Sequence, residues 1–334
     1  MSLSKNDVER LQKIADEIRN RQVKFNQKES EQNERKVKLS DNSKNINSSK
    51  DTIFRGGRSV TGRISDIKQP RGGYVRLKQF EKIEYDDGFT LNEEENIHGS
   101  IIGMVVDYMF RYLQGDSKEE AFNISIKGAE KAENLTHKNQ IDQAKGFLYG
   151  IQGVDDNSII SACKLVTFDC WYRSPLDAMY AKTADDTNPD SQTIENIRIM
   201  INRCITFIEN YGPITKKGFT FEPENPSFDL YENMIKNHTG SFGGYTPMIC
   251  SGDGDYLTKD TMWDLKVNKT KPTSKNTLQI LIYWIMGHHS GQKIFKNIDK
   301  VGIFNARHNT AYLLDMKTIP IDVINQVEQE VIGY

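Results

Sequence analysis

The chain has 334 residues, with 44 Lys and Arg against 46 Asp and Glu and a formal net charge of −2. That length can bury a substantial core in one or two domains. The near balance of charge excludes any argument for a nucleic-acid partner from global electrostatics, so a basic footprint must be local. No apolar run reaches membrane-spanning length, and the opening MSLSKNDVERLQ lacks the apolar stretch of a signal peptide. A cytoplasmic protein with no membrane association is expected. The four cysteines, Cys163, Cys170, Cys204 and Cys250, form no CxxC pair and read as reduced, mostly core residues.

Residues 1–35 read as an N-terminal helix. Ser4 caps it, and Val8, Leu11, Ala15 and Ile18 recur at helical spacing before the stripe fades into QKESEQNERK. A solvated helix docked by one edge fits better than a coiled coil. Residues 36–80 change character. KLSDNSKNINSSKD is a polar, low-complexity linker, and FRGGRSVTGRISDIKQPRGGYVRLK alternates arginine with glycine. Two readings stand side by side: a flexible arm that grips phosphates through Arg55, Arg58, Arg63 and Arg71, or a pair of glycine-turned hairpins with a solvated basic face. Residues 81–211 are expected to be mostly helical, with GSIIGMVVDYMFRYLQG, KEEAFNISIKGAEKAE, IISACKLVTFDCWY and TIENIRIMINRCITFIENYG each carrying apolar residues at three-to-four spacing. After Gly212-Pro213 the period changes. KGFTFE, the residues around MICSGDGDYLT, and TMWDLKVN read as strands, LQILIYWIMG as a helix, and KVGIFNAR and TAYLLDM as two further strands. The chain is thus α/β, without internal repeats.

The stretch GDGDYLTKDTMWDLKVNK carries the chemistry. A turn across Thr258 to Thr261 sets Asp255 opposite Asp264 and Asp253 opposite Lys266, so that all four side chains share one face of a hairpin. Trp263, Leu265 and Val267 take the other face. Directly opposed residues have Cβ atoms ~4.5–5.5 Å apart, and two carboxylates so placed either raise a pKa or hold a cation between them. The competing reading is an exposed hairpin with a charged, solvated face. Gly252 and Gly254 suggest close approach of a ligand or a neighbouring backbone. Lys266 supplies an ammonium suited to charge developing on a phosphate. Gln279 and Tyr283 follow at i and i+4 on one helix face, with Leu278, Ile282 and Ile285 directed into the core.

The order G-x-x-D at Gly252–Asp255, D-x-K at Asp264–Lys266 and Q-x-x-x-Y at Gln279–Tyr283 resembles motifs II, III and IV of RecB-like nucleases in the PD-(D/E)XK superfamily. The resemblance covers residues 212–334, with a candidate motif I on the helix 98–114 near Gly103. It implies a restriction-endonuclease-like mixed central sheet flanked by helices, here with a large helical insertion and an N-terminal helix. It also implies a deoxyribonuclease dependent on Mg²⁺ or Mn²⁺. Asp255, Asp264 and the Leu265 carbonyl would bind the ion, Lys266 would orient the attacking water or stabilise the phosphate, and Gln279 and Tyr283 would buttress the site or touch the DNA backbone. The implied partner is DNA, in repair, recombination or anti-phage defence; a helicase or other subunit and a homo-oligomer are admissible companions. Two departures stand out. GMVVD places Asp107 where relatives often carry histidine, and no cysteine follows Cys250, so no iron–sulfur cluster is expected. His288 and His289 are adjacent and suit a helix end better than a metal pair.

Asp107 interrupts an otherwise apolar helix, and two roles are open to it: a further metal ligand favouring hard ions, or a partner of Arg111 four residues on. From a different class, the chain also reads as a catalytically silent nucleic-acid-binding or scaffold subunit that retains the nuclease fold. The opposed carboxylates argue against that reading, since a dead site has no need of them.

Overall fold

A computed structural model describes residues 58–222 and 243–334. The expected N-terminal helix, the polar linker and Arg55 lie outside the described residues. Among the described residues two compact units emerge, one of residues 58–121, 150–163, 188–222 and 243–334, the other of 122–149 and 164–187.

The larger unit is built on a six-stranded sheet. Its principal elements are α1 (Val60–Asp66), β1 (Glu81–Glu84), α2 (Gly99–Leu113), α3 (Ser191–Tyr211), β2 (Lys216–Phe219), β3 (Gly254–Leu257), β4 (Thr261–Lys266), α4 (Ser274–His289), β5 (Lys300–Asn305) and β6 (Thr310–Asp315). The strand order is β1-β6-β5-β4-β3-β2. Only β4 and β5 run parallel, and α4 is the crossover between them; the other neighbours are antiparallel. The chain is therefore mixed α/β, with a mixed central sheet flanked by helices. No helix among the described residues is long and apolar enough to cross a membrane.

Alternation along the strands assigns the two faces. On one, Trp263 and Phe304 meet Phe207 of α3 with ring centroids 4.8 and 4.0 Å apart, and Tyr256 meets Phe110 of α2 at 5.2 Å. On the other, Leu257, Met262, Val301 and Ile303 join Leu278, Ile282 and Ile285 of α4 in the main apolar core. Asp255, Asp264 and Lys266 belong to this second face, at the end of an otherwise apolar surface. Packing on the first face is tight enough to test. A Cβ added at Gly302 would stand 2.1 Å from Trp263 Cζ3. Gly302→Ala is expected to lower stability by about 1–3 kcal/mol, read as a lower denaturant midpoint; an unchanged midpoint would mean that Trp263 has room to move.

Two sequence expectations are corrected. The arginine- and glycine-rich segment forms neither an arm nor hairpins over its described part. Arg58–Ser59 pairs in parallel with Ile249–Ser251, and α1 follows directly. Ser59 caps α1 by accepting the Gly62 N–H at 3.1 Å, and Val60 and Ile64, four residues apart, are buried. The Gly-Gly turn exists at Gly72 and Gly73, whose φ values of 91° and 88° require glycine, but it leads into a 3₁₀ turn over Leu77–Gln79. Next, Glu81–Glu84 is a strand, not part of a helical region; its sequence EKIE is mostly exposed and charged, as suits a sheet edge protected from further pairing.

In the smaller unit, the helix Asn123–Thr136 crosses the helix Asp169–Arg173 and the turn before it. A Cβ at Gly128 would stand 2.0 Å from the Phe168 carbonyl oxygen, so glycine is required at the crossing. The Ser125 hydroxyl donates to the buried Asp169 carboxylate at 2.5 Å.

Candidate active site

The hairpin β3–β4 adopts the register expected from its turn. Tyr256 pairs with Trp263 and Leu257 with Met262, and the Thr258 N–H donates to the Thr261 carbonyl at 2.9 Å. The same register puts Asp255 opposite Asp264. There the backbone ladder gives way to a side chain: Asp255 Oδ2 accepts the Leu265 N–H at 2.7 Å. A strand residue directs its N–H and C=O to the same edge, so the Leu265 carbonyl turns toward Asp255 as well. Asp253, expected opposite Lys266, lies exposed beyond the end of β3. At both glycines the nearest approach is by a side chain of the chain itself. A Cβ at Gly252 would meet Val60 Cγ2 at 2.7 Å, and one at Gly254 would meet the Phe219 ring at 2.1 Å.

Asp264 is 2% exposed, which overturns the solvated-hairpin alternative. Lys266 Nζ donates to its Oδ1 at 2.7 Å, while Oδ2 is buried with no hydrogen-bond partner. An orphaned carboxylate oxygen at such a depth is costly, and native structures rarely keep one without a function. Burial raises the pKa of both aspartates above the usual carboxylate range, and for Asp255 the neighbouring Asp107 and Asp264 charges push in the same direction. For Lys266 burial works downward, but the attraction of Asp264, Asp255 and Asp107 outweighs it and the ammonium is retained. Gln279 Nε2 donates to Tyr283 Oη at 3.0 Å, so the two residues do share a helix face. Burial holds the Tyr283 phenol well above its usual range, and the charges of Asp264, Asp253 and Asp255 add to the effect.

Asp107 reaches this centre from α2 with its carboxylate already engaged. Arg111 Nε and Nη2 donate to its two oxygens at 3.0 and 2.9 Å, and the Tyr256 hydroxyl donates to Oδ1 at 2.5 Å. Arg111 Nη2 stands 3.9 Å from Asp255 Oδ1, so the guanidinium lies between the two carboxylates. Close approach of α2 to the sheet at Gly103 is real: a Cβ there would stand 3.2 Å from Val267 Cγ2. The pairing with Arg111 is therefore the observed role of Asp107. Tyr256 is the residue that sequence reasoning missed at the site, and Arg111 was read only as a partner of Asp107 and not as a neighbour of Asp255. The four-residue spacing from Asp107 was the visible signal for Arg111, whereas Tyr256 lay on the face read as core.

The remaining expectations resolve simply. His288 Nε2 lies 3.0 Å from the Ile298 carbonyl, while His289 pairs with Glu328 and stacks on Tyr334, so the two diverge at the helix end. Arg58 is held by Asp66 at 2.7 Å, and Arg63 donates to the Val331 and Glu330 carbonyls at 2.8 Å each. Both arginines are tied into the fold and not carried on a free arm, Arg63 to carbonyls near the end of the chain; Arg71 is exposed. Of the four cysteines, Cys163 and Cys204 are buried and Cys250 is exposed. A cavity of about 700 Å³ in the smaller unit, lined by Phe168, Trp171 and Met179 among others, contains none of the site's residues.

No family model, curated protein or solved structure matches this chain.

Function is therefore read from the chemistry of the site. Among the described residues, no group of three or more His, Cys, Asp or Glu side chains is gathered to hold a metal. A hard ion such as Mg²⁺ does not require one, since it is commonly held by one or two carboxylates with water and substrate oxygens completing the shell. Asp255, the partnerless Asp264 Oδ2 and the Leu265 carbonyl form an all-oxygen donor set of that kind. The residues fit a hard divalent cation.

Proposed function

We propose that this chain is a Mg²⁺- or Mn²⁺-dependent nuclease with a restriction-endonuclease-like core of the PD-(D/E)XK type, hydrolysing phosphodiester bonds in DNA. The observation that carries this reading is the buried Asp264, one oxygen fixed by Lys266 and the other without a partner, opposite Asp255. Asp255, Asp264 and the Leu265 carbonyl would hold the ion. When bound, such an ion lowers the pKa of a water and neutralises charge on the scissile phosphate.

The chain's own groups account for the rest. Asp264 Oδ1 fixes one of the three Lys266 ammonium donors and leaves the others for a phosphate oxygen or the attacking water. The Tyr283 phenol, kept protonated by burial, accepts from Gln279 and retains its own proton to donate toward the nucleic-acid backbone. Asp107 serves by anchoring Arg111 beside Asp255. A role in repair, recombination or defence against foreign DNA, alone or with a helicase, is consistent with such chemistry.

The test is incubation of purified protein with linear, circular and single-stranded DNA in Mg²⁺, Mn²⁺ or EDTA. Cleavage with either ion and none in EDTA is expected. Intact DNA under all conditions, with DNA still bound, would replace this reading by a silent nucleic-acid-binding subunit.

A further inference from the structure

Arg111 has more donors than the site uses. Its Nε and Nη2 are satisfied by Asp107, but Nη1 donates no hydrogen bond among the described residues. The guanidinium is largely buried, with its side chain 19% exposed, and an unmet donor on a group so placed is costly. The backbone around it is shaped to leave that nitrogen where it is. Lys217 pairs with Tyr256 and Phe219 with Gly254, so Gly218 stands across from Asp255. Gly218 has a φ of 54°, and a Cβ there would sit 3.0 Å from Arg111 Nη1.

Arg111 and Gly218 both line a cleft of about 430 Å³ between the end of α2 and β2, together with Asp116, Glu120, Lys216 and Lys217 among others. Most of the charge in this cleft is spent internally. Lys217 Nζ is bound to Asp116 and to the Gln114 carbonyl, which neutralises the negative end of α2. Glu120 accepts from the Ser117 N–H and hydroxyl. Lys216 is exposed and has no ion-pair partner among the described residues. What the cleft leaves over is two planar N–H bonds from a fixed guanidinium and one ammonium, all cationic and all beside β2, the strand that pairs with β3. An oxyanion with several acceptor oxygens is the ligand that satisfies them.

We propose that this cleft binds a phosphodiester group of the substrate strand next to the one that is cut, with Arg111 Nη1 and Lys216 as its donors. The inference rests on the nuclease reading and adds to it the path by which the strand leaves the carboxylates. Asp107 and Tyr256 are positioning residues here, because they hold the guanidinium that meets the phosphate.

The experiment uses the full chain carrying Asp264→Asn, so that binding is measured without cutting, and a fluorescent single-stranded DNA oligonucleotide titrated over a range of salt. Lys216→Glu, on an exposed side chain, is expected to weaken binding about tenfold, and Lys216→Ala to reduce the salt slope by about 0.7. In the cleaving protein, Lys216→Glu should raise KM about tenfold with kcat changed less than about twofold. Binding and salt slope unchanged in both Lys216 variants, in a protein that cuts DNA, would overturn the cleft alone. A parent chain that neither binds nor cuts DNA would overturn the nuclease reading and the cleft with it.

Discussion

Asp264→Asn is expected to reduce DNA cleavage by about 10²–10³-fold or more in kcat while leaving the fold intact. Asparagine keeps the volume and removes the charge that the buried cluster is built around. It also replaces one of the two oxygens by an amide nitrogen, so the side chain can accept from Lys266 Nζ or offer an oxygen to a cation at the Oδ2 position, but no longer both. One substitution thus affects both the ion and the ammonium. Lys266→Met removes the ammonium alone, so the double variant should lose little beyond the worse single one, as residues acting as a unit are strongly non-additive. Single-turnover cleavage at saturating Mg²⁺ is the measurement. An Asp264→Asn chain that cuts at close to the parental rate would remove Asp264 from the chemistry.

The hairpin was legible in sequence because alternation there is strict. In TMWDLK one parity packs on α3 and the other carries Met262 and the charged pair, and a four-residue turn fixes the register without further information. The crossover helix α4 was equally plain, its apolar stretch being nearly continuous because it is buried on more than one side. The segment 58–80 was not legible. Its glycines and arginines suggest turns and solvent, whereas the helix α1 depends on two residues, Val60 and Ile64, that become apolar anchors only when α4 and Ile249 are present. The strand β1 carries no apolar alternation and takes its conformation from pairing with β6. At the site, sequence placed Asp255, Asp264 and Lys266 together from local geometry. Arg111 comes from a helix more than a hundred residues earlier, and no local pattern reports which face of α2 meets β2. Its position between Asp107 and Asp255 is a tertiary fact.

The second large effect is an inverted pH dependence of stability in the metal-free protein. A carboxyl group titrates near 3.9 in an unfolded chain, and burial raises both Asp255 and Asp264 above that in the folded chain. Above about pH 4 the folded state therefore holds protons that the unfolded state has released. Stability has a negative slope with pH wherever the folded state binds more protons. The contribution of this pair is thus fully present below the unfolded pKa and is lost as pH rises through the raised folded values. Asp87 and Asp260, whose pKa values are lowered by Arg203 and Lys300, act in the opposite sense, but their gain is complete soon above the unfolded carboxylate range. Between about pH 5 and 8 the buried pair should dominate. In EDTA the melting temperature is expected to fall across that range by several degrees, at roughly 2–4 °C per kcal/mol. Mg²⁺ should restore it at pH 8 by binding the folded state alone. Asp255→Asn removes one of the two buried charges, so its metal-free melting temperature at pH 8 should exceed that of the parent, its pH slope should flatten, and its response to Mg²⁺ should shrink. Scanning calorimetry of both proteins at several pH values, with EDTA and with Mg²⁺, measures all three quantities. A parental melting temperature that rises from pH 5 to 8 in EDTA, or an Asp255→Asn chain stabilised by Mg²⁺ as strongly as the parent, would show that these carboxylates are not the seat of the ion.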